Sequence, residues 1–444
     1  MLLRYLLPVL LLSSALLPAR GQTSATPPGP DAPPTEALPP SVPPTPEPAA
    51  ASLPATVTAD AGGFTLQSAD GAFALRLRGD VMTDGRFFVD DPDGLGAGTF
   101  YVRRIRPVLQ GTLYGRFDFK LMPNFAQGRA ELQDAYLDAR LADAFAVRAG
   151  KFKVPVGLEL LQSPTDLALV ELAFPTALVP NRDVGVQAHG EVLGRRLAYQ
   201  LGVFNGTLDG ASADADTDDG VEVAGRLFAR PFRGSGGALD GLGLGVAGTW
   251  GEQGGAAAAP LLPTYRTSGR RTFYRYLGGD DPAFADGAHA RIAPQAYLYA
   301  GPVGLMGEYV AVRQEVRRGD EAAELTHGAW QVTGHVVLTG ERAGYGALRP
   351  ARPFDPSSGA WGAVELAARV HGLTADADAF PLFANPAASA QRATAWAAGV
   401  NWYLNGAVRV SLNVERTWFD TADGADVEAL PTETVVLSRF QIAF

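Results

Sequence analysis

The residues with most capacity for chemistry are basic pairs set two apart around one apolar residue. Arg76 and Arg78 flank Leu77, Arg104 and Arg106 flank Ile105, and Lys151 and Lys153 flank Phe152. On an extended chain that spacing puts both cations on one face. Arg148 and Arg226 also alternate with apolar neighbours. Such side chains hold carboxylates or phosphates by charge and hydrogen bonds, so their chemistry is anion binding. Other chemistries are poorly served. There is no cysteine, hence no disulfide and no thiolate site. The five histidines (His189, His289, His327, His335, His371) never fall at metal-ligand spacing, and no Gly-x-Ser-x-Gly turn occurs. Asp214, Asp216, Asp218 and Asp219 before Gly220 share the spacing of a calcium loop. The sixth position is Asp219 where glycine is required, and no glutamate follows at the twelfth. That stretch reads as a solvated acidic loop. No cofactor, metal or enzymatic activity is expected, and a net charge of −10 without a basic stripe excludes nucleic acid.

The elements that must carry these cations are strands. Fifty-two glycines and 33 prolines punctuate short segments of period two, and helical periodicity is absent. Sixteen alternating segments follow one another from about residue 72 to 444. Their apolar face is Leu, Val, Ala and Phe. The other face carries Arg76, Arg78, Arg104, Arg106, Lys120, Arg140, Arg148, Arg226, Arg230, Arg291, Arg369, Arg409 and Arg439, with Asp80, Asp118, Asp134, Asp138, Glu191, Glu222, Glu365 and Glu415. Tight connections (115–116, 194–195, 301–302, Asn405-Gly406) alternate with longer ones (125–129, 206–219, 318–324, 420–431). Short turns at one end and long loops at the other are the pattern of a transmembrane antiparallel β-barrel of about 16 strands, apolar face to lipid and polar face to a wet lumen. The connection at 340–359 breaks the rule, being long where a short turn is due. The longest connection with apolar content runs from Pro155 to Arg182; Leu160, Leu161, Leu167, Leu169, Val170, Leu172 and Phe174 need a wall to pack on. Lys151 and Lys153 lie on the apolar parity of their strand. A bulge at Gly150 turns them into the lumen; without one they mark the membrane rim.

The N-terminus is organised differently. Arg4, the apolar run Tyr5–Leu17 and small residues around Ala19-Arg20-Gly21 read as a signal peptide over 1–21. Residues 22–63 form a Pro-rich linker, disordered over 22–56, and 64–444 form the barrel. No stretch approaches 18 uninterrupted apolar residues, so no membrane-spanning helix is expected.

The order of motifs resembles the phosphate-selective porin O and P family of Gram-negative outer membranes, over about 64–444. The segments that carry the resemblance are 101–106 (YVRRIR), 111–114 (GTLY), 133–136 (QDAY), 149–155 (AGKFKVP), 157–159 (GLE), 180–185 (PNRDVG) and 202–206 (GVFNG). Later come 307–309 (GEY), 338–341 (LTGE), 361–365 (WGAVE), 401–405 (NWYLN) and 438–444 (SRFQIAF). The resemblance implies a sixteen-stranded homotrimeric barrel in the outer membrane whose third external loop folds into the lumen. It implies passive diffusion of small solutes, anions such as phosphate, past basic residues on the wall: Arg76, Arg78, Arg104, Arg106, Arg148, Lys151, Lys153 and Arg226. It also implies outer-membrane lipid as partner and recognition of Phe444 by the barrel-insertion machinery. The competing reading is a structural or adhesive barrel tethered by its Pro-rich arm.

Overall fold

The computed structural model describes residues 55–89, 96–215 and 218–444. The segment read as signal peptide, and the linker before residue 55, lie outside the described residues. The end of that linker carries β1 (Ala55–Asp60), which pairs antiparallel with β2 (Gly63–Ser68). The sixteen expected strands follow. They are β3 (Ala74–Phe88), β4 (Thr99–Leu113), β5 (Phe117–Asn124), β6 (Glu131–Ala142), β7 (Phe145–Lys153), β8 (Arg182–Val192), β9 (Leu197–Phe204), β10 (Glu222–Ala229) and β11 (Leu242–Gly254). After a separate small hairpin, β12 (Thr264–Arg266) and β13 (Thr272–Arg275), come β14 (Phe284–Ala300), β15 (Val303–Arg318), β16 (Glu321–Val337), β17 (Ala363–Thr374), β18 (Arg392–Tyr403), β19 (Val408–Asp420) and β20 (Glu433–Ala443). Each barrel strand pairs antiparallel with the next, and β20 closes on β3 from Val435↔Phe88 to Ala443↔Asp80.

Alternation decides what each strand shows to which side. Along β15, Val303, Leu305 and Tyr309 are exposed, whereas Met306, Glu308, Val310, Val312 and Gln314 are buried. Exposed Trp250, Trp396 and Trp418 sit towards the long-loop ends of their strands, and exposed Trp361 and Tyr114 lie at the turn end. Two aromatic girdles around an apolar belt mark the two faces of a membrane. Closure is required because hydrocarbon offers no partner to an open edge.

The seam between first and last strands is reinforced. Arg439 on β20 donates from Nε and Nη2 to Asp84 on β3 at 2.8 and 2.7 Å, both groups buried. Below the last strand, β2 takes over as neighbour of β3, from Phe64↔Leu77 to Gln67↔Ala74. Phe444 exchanges backbone hydrogen bonds with Gly79 at 2.8 and 3.0 Å, and its ring meets Phe64 edge-on at 6.2 Å.

One connection differs from expectation. The long external connection expected at 318–324 is a two-residue turn at Gly319-Asp320, because β15 and β16 continue past the apolar belt. Their outward faces there are charged, and Arg313 pairs with Glu324. The chain between β16 and β17 (338–362) is long at the turn end, as its length in the sequence indicated.

Removing one partner of a buried ion pair costs about 3–5 kcal/mol, because a charge is left unpaired. Asp84→Ala should therefore lower the temperature at which the compact, fast-migrating species is lost in semi-native electrophoresis. Asp84→Leu combined with Arg439→Met should lose distinctly less. Equal losses would show that the seam does not depend on this pair.

Candidate functional site

The basic face of the wall is densest on β3 to β8. β4 contains a bulge: Met82 pairs with Arg104 and Thr83 with Val102, leaving Arg103 as the extra residue. The bulge re-aims a side chain, so Arg103 and Arg104 both line the same interior cavity although they are adjacent in sequence. Arg103 reaches Glu171 at 3.2 Å. Arg104 lies against the Met82 sulfur at 3.2 Å, and Arg106 donates to Gln133 Oε1 at 3.1 Å. Neither Arg104 nor Arg106 makes an ion pair among the described residues. On the next strands Asp134 is shared by Lys120 (2.6 Å) and Arg182 (2.7 Å), one carboxylate between two cations. Arg148 holds Asp138 at 2.5 Å and stands 4.3 Å over the ring of Tyr136.

Three cavities adjoin this wall. The one towards the long loops, about 620 Å3, is lined by Arg103, Arg104, Arg106, Arg129, Arg266 and Arg270 against Glu131, Glu171 and Asp209. The second, about 320 Å3, is lined by Arg78, Arg106, Lys120, Arg148, Lys153 and Arg182 against Asp80 and Asp134. The third, about 630 Å3, opens among the short turns around Arg116, Arg140, Arg148 and His189. Arg106 is common to the first two and Arg148 to the second and third.

Opposite the basic wall lies the connection from β7 to β8. It contains a single helical turn, α1 (Leu158–Leu161), and a 3-10 turn at Phe174–Leu178. Its backbone is bonded to the inward side chains of the far strands. Glu308 on β15 accepts from the amides of Leu158 (2.5 Å) and Glu159 (3.1 Å). Asn413 on β19 accepts from Val170 N at 2.6 Å, and Asn401 on β18 donates to Ala168 O at 2.7 Å. Arg369 on β17 reaches Glu159 (3.0 Å) and Glu171 O (3.0 Å), while Arg409 donates to Leu167 O at 2.9 Å. Lys153 Nζ, at the root of the connection, donates to the carbonyls of Leu160 (2.5 Å) and Gln162 (2.6 Å) and, among the described residues, to no carboxylate.

The half of the interior behind this segment is filled. The β12–β13 hairpin brings buried Tyr265, Phe273 and Tyr274 onto it, with Phe174 5.4 Å from Phe273 and 4.3 Å from His371. Tyr276 Oη lies 2.7 Å from His327 Nε2, and Leu277 N donates to Phe383 O, tying this loop to residues 375–391. From the turn end, the 338–362 connection contributes Tyr345. Its hydroxyl donates to Leu158 O at 2.5 Å, its carbonyl accepts from Gln162 at 2.8 Å, and its ring stacks 5.4 Å from Tyr297.

The residues singled out from the sequence separate into groups. Arg78, Arg104, Arg106, Arg148 and Lys153 line the cavities described above. Arg226 faces the other side, donating to Gln295 at 3.0 Å and lying 4.4 Å over Phe228. Arg76 is exposed below the barrel, against Thr65 of β2 at 3.1 Å. Lys151 departs from the set: Gly150 takes φ +123° with no register shift, so no bulge forms there. Lys151 is buried against Asp214 at 2.5 Å, while Lys153, at the strand's end, follows the chain inward. Asp218 caps the amides of Gly220 and Gly254, and Asp216 lies outside the described residues. Sequence reasoning missed Arg103, Arg182, Arg266 and Arg270. The first was legible: Val102 and Ile105, both exposed, are three apart with two arginines between, which strict alternation does not allow.

A closed sixteen-strand barrel with an apolar belt, two aromatic girdles and a charged interior is an outer-membrane channel of the porin class. Solved structures with similar folds agree, all at low identity. The outer-membrane channel DcaP of Acinetobacter baumannii covers 86% of this chain and 100% of its own, at 13% identity and TM-score 0.55. OmpT of Vibrio cholerae in its trimer form covers 84% and 100%, at 11% and 0.54. The anion-selective porin from Comamonas acidovorans covers 84% and 100%, at 13% and 0.52. No curated protein matches the chain. Residues 75–444 match the family Phosphate-selective porin O and P, and the chain belongs to that family. It is an outer-membrane protein of the Gram-negative type.

Glu171 offers a pH test of the interior. Burial raises its pKa, but Arg103 and Arg270 (3.5 Å) outweigh burial and hold it at about 2, below its ordinary value. A depressed carboxylate stabilises fully above its unfolded pKa and ceases to as pH falls through the folded one. The difference in thermal stability between wild type and Glu171→Gln should be constant above about pH 5 and vanish towards pH 2. A difference independent of pH would assign Glu171 a packing role only.

Proposed function

We propose that the protein is a passive porin for small anions, phosphate among them, with a lumen narrowed by its third external loop, 154–181. The observation that carries this is the set Arg104, Arg106 and Lys153: three cations at the cavities, none in an ion pair with a carboxylate among the described residues. The three cavities, which share Arg106 and Arg148 in their linings, mark the route. In a partly dehydrated passage a unit charge acts far more strongly than in bulk water, by roughly fourfold at an effective dielectric constant of about 20. The family description and the anion-selective porin among the structural neighbours support the same sign. Assembly as a homotrimer and insertion through the C-terminal Phe444 belong to this reading, supported by the trimeric OmpT and by the outer-membrane class.

Purified protein in planar bilayers under a KCl gradient should give a reversal potential of anion preference. Arg106→Glu and Lys153→Glu should each shift the chloride-to-potassium permeability ratio about tenfold towards cations, the equivalent of 1.4 kcal/mol. Cation preference in wild type would overturn the anion reading, and absence of conductance would favour a closed adhesive or structural barrel. Deleting 343–357 should raise conductance while leaving the sign of selectivity unchanged, because Tyr345 lies on the side of the loop away from the basic wall.

A further inference from the structure

The outward-facing arginines near the long-loop rim are matched with acids. Arg392 lies 3.5 Å from Asp420, Arg313 pairs with Glu324 and Arg317 with Asp286. Arg416 is the exception. It is exposed on the outward face of β19 and, among the described residues, makes no hydrogen bond or ion pair. Its registered neighbours are Trp396 on β18 and Thr434 on β20, and its guanidinium stands 5.6 Å from the centre of the Trp418 ring. The acid nearest along that face of β19, Asp420, is already paired with Arg392.

Depth fixes what surrounds it. Val410, Leu412 and Val414 form the outward face of β19 beneath Arg416, and the first two are exposed apolar side chains. Arg416 is eight residues beyond Val408. At about 3.3 Å per residue and a tilt of about 40°, that places it roughly 20 Å above the turn end, near the top of an apolar band about 25 Å tall. At that level Trp396 and Trp418 belong to the outer girdle, and the groups beside them are lipid headgroups. A cation is tolerated on the lipid face near the interface and strongly disfavoured at mid-depth. Among the described residues no acid pairs with Arg416, whereas acids pair with Arg392, Arg313 and Arg317.

We propose that Arg416, framed by Trp396, Trp418 and Thr434, binds the phosphate of an outer-leaflet lipid. The guanidinium takes the phosphate in a bidentate, charge-assisted contact. The indoles cover the boundary between headgroup and chains, and the Thr434 hydroxyl adds a donor at the same level. The site lies on the outer wall and is independent of solute passage.

Native mass spectrometry of the detergent-solubilised full chain, with diphosphoryl lipid A as probe, tests the assignment. Arg416→Gln should lower the bound-lipid fraction about tenfold, as loss of a charged hydrogen-bond donor implies. Arg392→Gln, whose arginine is already paired, should leave that fraction unchanged. Millimolar inorganic phosphate should not displace the lipid. Unchanged single-channel conductance of Arg416→Gln in bilayers establishes that the variant is folded. Equal lipid binding by wild type and Arg416→Gln would overturn the proposal, as would an equal loss in Arg392→Gln or displacement by free phosphate.

Discussion

A backbone amide at membrane depth has no water to bond, and every feature of this molecule answers that constraint first. The only open edges a sixteen-stranded sheet could present are those of β3 and β20, and they are joined over nine registered pairs. Once the sheet is closed, its two faces meet different solvents and the period-two alternation acquires meaning. The outer face becomes a belt of Leu, Val and Ala between aromatic girdles. The inner face can then be charged at every second residue, because the charges meet one another and water instead of lipid.

The interior is settled by how those charges are shared. On β14 to β19, inward polar groups are consumed by the 154–181 segment: Glu308, Arg369, Asn401, Arg409 and Asn413 each bond to its backbone or side chains. On β4 to β8 the segment is held at fewer points, by Arg103 to Glu171 and by Lys153 to two carbonyls, and cations outnumber the acids that could hold them. Asp134 is shared between Lys120 and Arg182, and among the described residues Arg104 and Arg106 make no ion pair. Arginines around the wall thus act as scaffold on one side and as a basic surface on the other. Net charge of the chain would not reveal this, since −10 is dominated by residues elsewhere.

Strand number and closure were legible because alternation is a local signal, carried by neighbouring residues such as Phe440, Ile442 and Gln441. Parity placed Arg104, Arg106 and Arg148 on the inward face for the same reason. Parity failed where the backbone leaves ideal pleat. The bulge at Arg103 changes phase within one strand, and Lys153 is already part of the turn into the following loop. The anomalous length of the connection after β16 was visible, yet its inward course was not. That course depends on Tyr345 meeting Leu158 and Tyr297, partners 187 and 48 positions away, which no local pattern encodes. Arg182, Arg266 and Arg270 were missed because they sit in or beside loops, where alternation says nothing of direction.

The unequal halves of the interior also shape how the sequence is free to drift. A substitution on the filled side disturbs packing between wall and loop, so it is felt through folding of the whole barrel. On the open side the buried Asp134–Arg182 pair is scaffold too, while exposed residues such as Arg78 and Arg140 border water. The exposed positions of the inner wall on β3 to β6 can therefore change more freely, while β14 to β19 are held to their present residues by the loop they carry.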